Sequence, residues 1–240
     1  MFDTFDSSGT TGPASQMATM TAIQGGTNSD SSVNNVTVTG DNPIGGALTE
    51  TGDGVGVNAS ASGGADSSVG DFIFDFAFDL TNSSLTTDYQ IFFEVSFANF
   101  VDANGSDAYV DGEINLFDGD SNEFFASDLT SDTFFGDERN GESLTSLGAA
   151  LSDSGNFLFD ITLGAGMSDF FSGLLKIDGG EFFGNGSFNA QTEAFISVLR
   201  VVDLTTPPDV PEPSILMLFT GGLLSLLAGK RRNFKLNAKE

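Results

Sequence analysis

The chain has 240 residues, with 34 acids against 8 bases for a net charge of −26, and it contains 25 phenylalanines but no cysteine, histidine or tryptophan. Disulfide frameworks, Cys/His zinc sites and nucleophilic dyads or triads built on imidazole are therefore excluded. So acidic a chain repels nucleic acid, whose binding depends on Lys and Arg at phosphates, and no nucleic-acid partner is expected.

The charge is unevenly placed. Before Pro211 the only bases are Arg139, Lys176 and Arg200, whereas from Pro211 onward five bases stand against Glu212 and Glu240. The acidity of the body keeps a phenylalanine-rich β protein soluble and apart from its neighbours.

Residues 1–20, "MFDTFDSSGTTGPASQMATM", are polar and carry no Lys or Arg. They read as a disordered N-terminal segment. They also lack the basic start and the apolar stretch of about 7–15 residues that a secretory signal needs. With no signal peptide visible, the reading is that the start is truncated, lying too far downstream, or that the chain is not exported. From Thr21 to Ser68 the sequence is rich in Gly, Ser, Asn, Thr and Asp, interrupted by "VTVT" and "GVGVNASAS". Valines alternating with small polar residues favour short strands joined by glycine turns over a loose stalk.

"DFIFDFAFDL" (Asp71 to Leu80) places Phe72, Phe74, Phe76, Phe78 and Leu80 on one parity and Asp71, Asp75 and Asp79 on the other. A period of two sends these sets to opposite faces of a strand; on a helix the rings would surround the cylinder. Burial of the five apolar side chains contributes at most about 8–15 kcal/mol before entropy is counted. The same alternation recurs at Ile91, Phe93, Val95 and Phe97, at Val110, Ile114 and Leu116, and at Phe157, Phe159, Ile161 and Leu163. "GLLKIDGG" and "AFISVLRVVDL" end the series near Leu204. Many short strands separated by Asn/Asp/Gly turns predict an all-β fold, an antiparallel β-sandwich or jelly-roll-like domain over residues 21–204.

Two acidic loops interrupt these strands. "DANGSDAYVDGE" puts Asp102, Asn104, Ser106 and Glu113 at positions one, three, five and twelve of an EF-hand-like spacing, oxygen donors suited to calcium. Asp107 replaces the glycine of the sharp turn, and the flanks read as strands rather than helices. "DGDSNE" offers Asp118, Asp120 and Asn122 but has Leu129 at its twelfth position. Each also reads as a solvated hairpin loop. No other cofactor is expected, and, with neither histidine nor cysteine, no enzyme; among 34 acids no glycosidase pair can be singled out.

Residues 205–210 form a proline-rich linker, since adjacent prolines remove donors and hold the chain extended. The tail 211–232 follows as Pro211-Glu212-Pro213, an uncharged apolar run at 215–228, and the basic cluster Lys230, Arg231, Arg232; residues 233–240 are a short polar C-terminus. As a helix the apolar run is roughly 21 Å long, short of the roughly 30 Å bilayer core. Ser214, Gly229 and the snorkelling stems of Lys230 and Arg231 extend it into a single transmembrane helix, whose basic end marks the cytoplasmic side.

In this tripartite order the tail resembles the PEP-CTERM sorting tail of exported bacterial proteins. The resemblance implies recognition of Pro211, Glu212 and Pro213 by a membrane-embedded exosortase, a lipid-embedded span, and a stop-transfer role for Lys230, Arg231 and Arg232. It also implies a cell-surface or secreted protein, membrane-anchored with its body outside the cytoplasm or extracellular after processing. A structural or adhesive role linked to exopolysaccharide and biofilm goes with it. The alternatives are a calcium-dependent carbohydrate-binding module on the same scaffold and a polysaccharide-cleaving enzyme.

Overall fold

Strict alternation along most of the chain dictates strands, and strands are what form. The structure is a computed structural model that describes residues 2–41, 44 and 46–205. The N-terminal part supplies β1 (Phe2–Ser7), β2 (Thr10–Thr11), β3 (Ser15–Gln24), β4 (Thr27–Asn34) and β5 (Val38–Asp41). Four long strands come next: β6 (Gly54–Gly63), β7 (Ser67–Thr81), β8 (Tyr89–Asn104) and β9 (Ala108–Asp118). Four short ones follow: β10 (Glu123–Ala126), β11 (Leu129–Asp132), β12 (Glu138–Arg139) and β13 (Glu142–Ser143). The series closes with β14 (Leu151–Leu163), β15 (Ser168–Glu181) and β16 (Ser187–Asp203).

All pairings are antiparallel. One sheet runs β13-β12-β11-β9-β15-β7-β1-β5, with β10 beside β9 and β2 beside β7; the other runs β14-β8-β16-β6-β3-β4. From β5 to β9 each connection passes from one sheet to the other, and so do the last three strands, β14 to β16. A side chain facing inward therefore meets the opposite sheet, and the inward parity becomes one continuous core. Phe72, Phe74, Phe76 and Phe78 on β7 are all buried, as are Phe93 and Val95 on β8 and Phe171, Leu175 and Ile177 on β15. Phe171 is a hub: its ring stacks on Phe78 at 4.3 Å and meets Phe93 and Phe159 edge-on at 5.1 and 5.2 Å.

One buried polar knot ties the two sheets. Asn99 on β8 donates through Nδ2 to the carbonyls of Gly112 and Ser127, both at 2.7 Å, and its Oδ1 accepts from the Thr192 hydroxyl at 3.0 Å. Both N–H groups and the carbonyl oxygen of that amide thereby have partners, as burial demands. Gly112 permits the approach: a Cβ there would stand 2.4 Å from Asn99 Oδ1.

Two expectations are corrected. Residues 1–20 are not a disordered segment, because β1 and β3 lie within or begin in them, with Phe5, Ala18 and Met20 fully buried. Phe5 stacks on Phe74 at 4.8 Å, and the period-two set Gln16, Ala18, Met20, Ala22 points inward. Small and polar inward residues hid that period. Likewise "DANGSD" is no hairpin loop, since β8 and β9 belong to different sheets and residues 105–107 arch between them. Gly105 makes the arch possible, with φ of 91° and an absent Cβ that would lie 2.2 Å from the Asn185 carbonyl. "DGDSNE" does close a hairpin, β9 to β10.

The compact unit ends at Asp203. No helix occurs among the described residues. The linker from 206, Pro211, Glu212, Pro213, the 215–228 span and Lys230, Arg231 and Arg232 lie outside them.

Candidate functional site

The four residues singled out for calcium are not gathered by the fold. Asp102 and Asn104 close β8, where Asn104 Nδ2 donates to Asp102 Oδ1 at 3.0 Å, and Ser106 sits in the arch. Glu113 lies in the middle of β9, six residues past Asp107 and thus roughly 20 Å along the strand. There it pairs with Lys176 across the ladder at 3.1 Å. Among the described residues no three acidic side chains converge as a metal site.

The carboxylates that the sequence could not rank fall into three kinds. Some are buried loop anchors. Glu181 accepts from the peptide N–H groups of Asp66, Phe183, Gly184, Asn185 and Gly186, at 2.7 to 3.2 Å, and so holds the β15–β16 turn. Asp53 does the same for Gly25, Thr49 and Glu50. Asp137 takes Asp132, Gly148 and Ala149. Burial by itself would raise each acid, but donated hydrogen bonds stabilise the charged form more, so Glu181 and Asp53 fall to about 2 and Asp137 is lowered too.

A second kind lies on the outer face of the first sheet. Asp111 and Asp178 stand directly opposite each other on β9 and β15. Burial, and then the charges of Asp178 and Glu113, push Asp111 up to about 6 against the opposing bond from Thr130. Tyr109 donates to Asp178 at 2.6 Å, and its own pKa is raised by burial and by that bond. One strand over, burial and Glu113 push Asp128 to about 6 as well. Asn115, only 5% exposed, donates to Asp128 and Glu123 while its Oδ1 has no partner.

The third kind rims a cleft where the sheets part beside β14. Two adjoining cavities, about 570 and about 350 Å³, share Asp118, Gly119, Asp169 and Phe170. The smaller is floored by Phe124, Phe159 and Phe171 and edged by Asp160; the larger adds Asp79 and Asp120. Asp118 accepts from the peptide N–H groups of Asp120 and Asn122 and from the Asn122 amide, which hold its carboxyl below the ordinary range. An acid so held is ionised at neutral pH and is no proton donor. An aromatic floor with a fixed anionic rim suits ligands with apolar faces and hydroxyl or cationic edges.

At the opposite end of the sandwich four rings face solvent. Phe134 and Phe135 follow β11, and Phe182 and Phe183 follow β15, exposed by 57% to 87%. They flank the start of β9, because Asp132 pairs with Tyr109 and Glu181 with Ala108. β16 begins at this end, opposite Asn104, and finishes at the other, where Asp203 pairs with Tyr89. The chain thus continues toward residue 206 from the end remote from these rings. Sequence reasoning missed the rings because "TFFG" and "EFFG" carry no alternation. It missed the cleft because β10 breaks register at Phe124.

Residues 209–232 match the family model of the PEP-CTERM protein-sorting motif. No curated protein matches the chain. Among solved structures, the infectious bursal disease virus VP2 subviral particle is similar at 10% identity, over 93% of this chain and 73% of that one, with a TM-score of 0.18. The Gx strain of the same virus gives 8% identity, 93% and 74% coverage, and a TM-score of 0.16. Neither likeness bears on fold or function.

Proposed function

We propose, from the premise that this chain is a PEP-CTERM protein, exported, sorted by exosortase and membrane-anchored or extracellular, that its β body is a non-catalytic adhesive module for extracellular polysaccharide. In this reading 215–228 is the transmembrane helix that holds the tail until processing, and Lys230, Arg231 and Arg232 stop transfer. The observation that carries the adhesive role is the placement of Phe134, Phe135, Phe182 and Phe183 at the end remote from the chain's exit toward the sorting motif. Exposed aromatic rings stack on the apolar faces of sugar rings at little entropic cost. The acidic surface favours neutral or cationic glycans over polyanionic ones.

Two experiments test this. Replacing Pro211, Glu212 and Pro213 by alanine in cells that contain an exosortase is expected to leave a full-length, membrane-retained form; unchanged processing refutes the sorting roles. The full chain is expected to co-sediment with the extracellular polysaccharide of its cell, and Phe134→Ser with Phe182→Ser to weaken that at least fivefold. Undiminished binding refutes the ring end, and release of reducing sugar refutes the non-catalytic reading.

A further inference from the structure

A sheet edge is a row of unpaired peptide groups, and proteins normally blunt it by shortness, charge or proline. Among the described residues the ends of the two sheets give four edges, and three of them are blunted. The first sheet ends in β5, four residues long, and β13, two residues long. The second ends on one side in β4, "TNSDSSVN", whose only apolar residue is Val33. The fourth edge is β14, thirteen residues with no Pro, Lys or Arg, paired with β8 without a bulge from Leu151 to Leu163. Its inward residues Phe157, Phe159 and Ile161 are only partly buried, so the core itself is incompletely covered along this strand.

The free edge has a readable parity. The Ser152 carbonyl accepts from Arg139 Nη2 at 3.0 Å, on the side away from β8. In an unbulged antiparallel strand, alternate residues send both N–H and C=O the same way. Residues 154, 156, 158, 160 and 162 therefore present their peptide groups outward, and among the described residues no backbone bond outside the β8 ladder is recorded for them.

Read antiparallel against itself about Leu158, this segment is self-complementary. Leu158, 61% exposed, meets Leu158, and Phe157 meets Phe159 on the inward face. Asn156 meets Asp160, and Ser154 meets Thr162. Asn156 already donates to Glu94, and Asp160 accepts from Gln90 at 2.7 Å, so the new pair joins two existing ones into a ladder of four. No like charges oppose each other between 154 and 162. Shifting the two-fold to residue 157 sets Ile161 against Asp153, and shifting it to 159 sets Leu158 against Asp160. Of these neighbouring registers, only the one centred on Leu158 keeps charged residues away from apolar ones between 154 and 162.

We infer that β14 is a homodimer edge: residues 154–162 of two copies pair antiparallel across a two-fold at Leu158, merging two six-stranded sheets into one. About ten backbone hydrogen bonds form, two for each outward pair, and the half-covered Phe157, Phe159 and Ile161 are buried. Because the remaining edges are blunted, pairing closes at the dimer instead of running on as a fibre.

The absence of native cysteine gives a clean test. In the full-length chain in detergent, Leu158→Cys places two thiols on directly opposed residues about 5.5 Å apart at Cα, within disulfide range. Mild oxidation is expected to convert most of it to a covalent dimer. Leu85→Cys, 88% exposed in the β7–β8 loop, is expected to cross-link at least tenfold more slowly and controls for crowding within micelles. Sedimentation equilibrium in density-matched detergent is expected to show a dimer that Leu158→Lys weakens at least tenfold, with the far-ultraviolet circular dichroism unchanged. A monomeric wild type overturns the proposal and leaves the edge to a foreign strand. A dimer indifferent to Leu158→Lys, or equal cross-linking at residues 85 and 158, overturns it too.

Discussion

Replacing Asp111 by asparagine is expected to stabilise the body at neutral pH. Asp111 faces Asp178 across the ladder and lies near Glu113, with Lys176 and Tyr109 beside them. Its pKa of about 6 against an ordinary 3.8 means that the folded state holds the proton more tightly than the unfolded chain does. Stability therefore rises as pH falls from about 7 to about 4, and the ionised carboxylate is a liability above 6. Roughly two pH units at 1.36 kcal/mol each give about 3 kcal/mol. Asp128 acts in the same direction but is only partly buried, so solvent screening reduces its share to about 1 kcal/mol or less.

The loop anchors have the opposite sign. Asp53 and Glu181, lowered to about 2, contribute fully above about pH 4, and their contribution is lost as pH falls toward 2. Stability is thus expected to peak between pH 4 and 5. Urea unfolding followed by circular dichroism measures this, at low concentration because the isoelectric point is about 4.1. Asn at 111 keeps an acceptor for Thr130 and loses the charge. The variant should gain about 2–3 kcal/mol at pH 7.5, gain little at pH 4.5, and show a flatter slope between. A variant less stable at pH 7.5, or one with an unchanged slope, refutes the reasoning.

Phe171→Ala removes the ring shared by Phe78, Phe93 and Phe159 and is expected to cost about 3–5 kcal/mol in urea unfolding. Gly112→Ala drives a methyl against Asn99 Oδ1 and should cost about 1–3 kcal/mol; a neutral result would show that the inter-sheet knot yields easily. Glu181→Gln leaves peptide donors of the 183–186 turn facing an amide N–H, so limited proteolysis should cut that turn several times faster than in the wild type. Calcium and magnesium at equal millimolar concentration should shift the melting temperature alike, because Glu113 stands apart from Asp102, Asn104 and Ser106. A calcium-specific rise, which binding to the folded state alone must produce, would restore that set.

What was legible in the sequence follows from where large side chains sit. β7 declares itself because phenylalanine fills every inward position from 72 to 78, and no helix could hide those rings. β3 does not, because its inward positions are Gln16, Ala18, Met20 and Ala22, two alanines and an amide among them; the period is there, the contrast is not. Pairing order is a different matter. β8 and β9 are consecutive and separated by a short polar loop, which in a single sequence signals a hairpin, yet Gly105 turns the chain out of one sheet into the other. That arch is what separates Glu113 from Asp102 and undoes the calcium spacing. The acids were unreadable for a related reason: Glu181, Asp111 and Asp118 share one chemistry in sequence and differ only in what the fold brings to them. For Glu181 that is five peptide N–H groups, for Asp111 a second carboxylate, and for Asp118 its own loop. Edge exposure is equally a property of topology. "NFLFDITL" reads as an ordinary half-buried strand, and only the sheet order, which leaves its outer flank unpaired while blunting the other three edges, turns the same residues into a surface for a second copy.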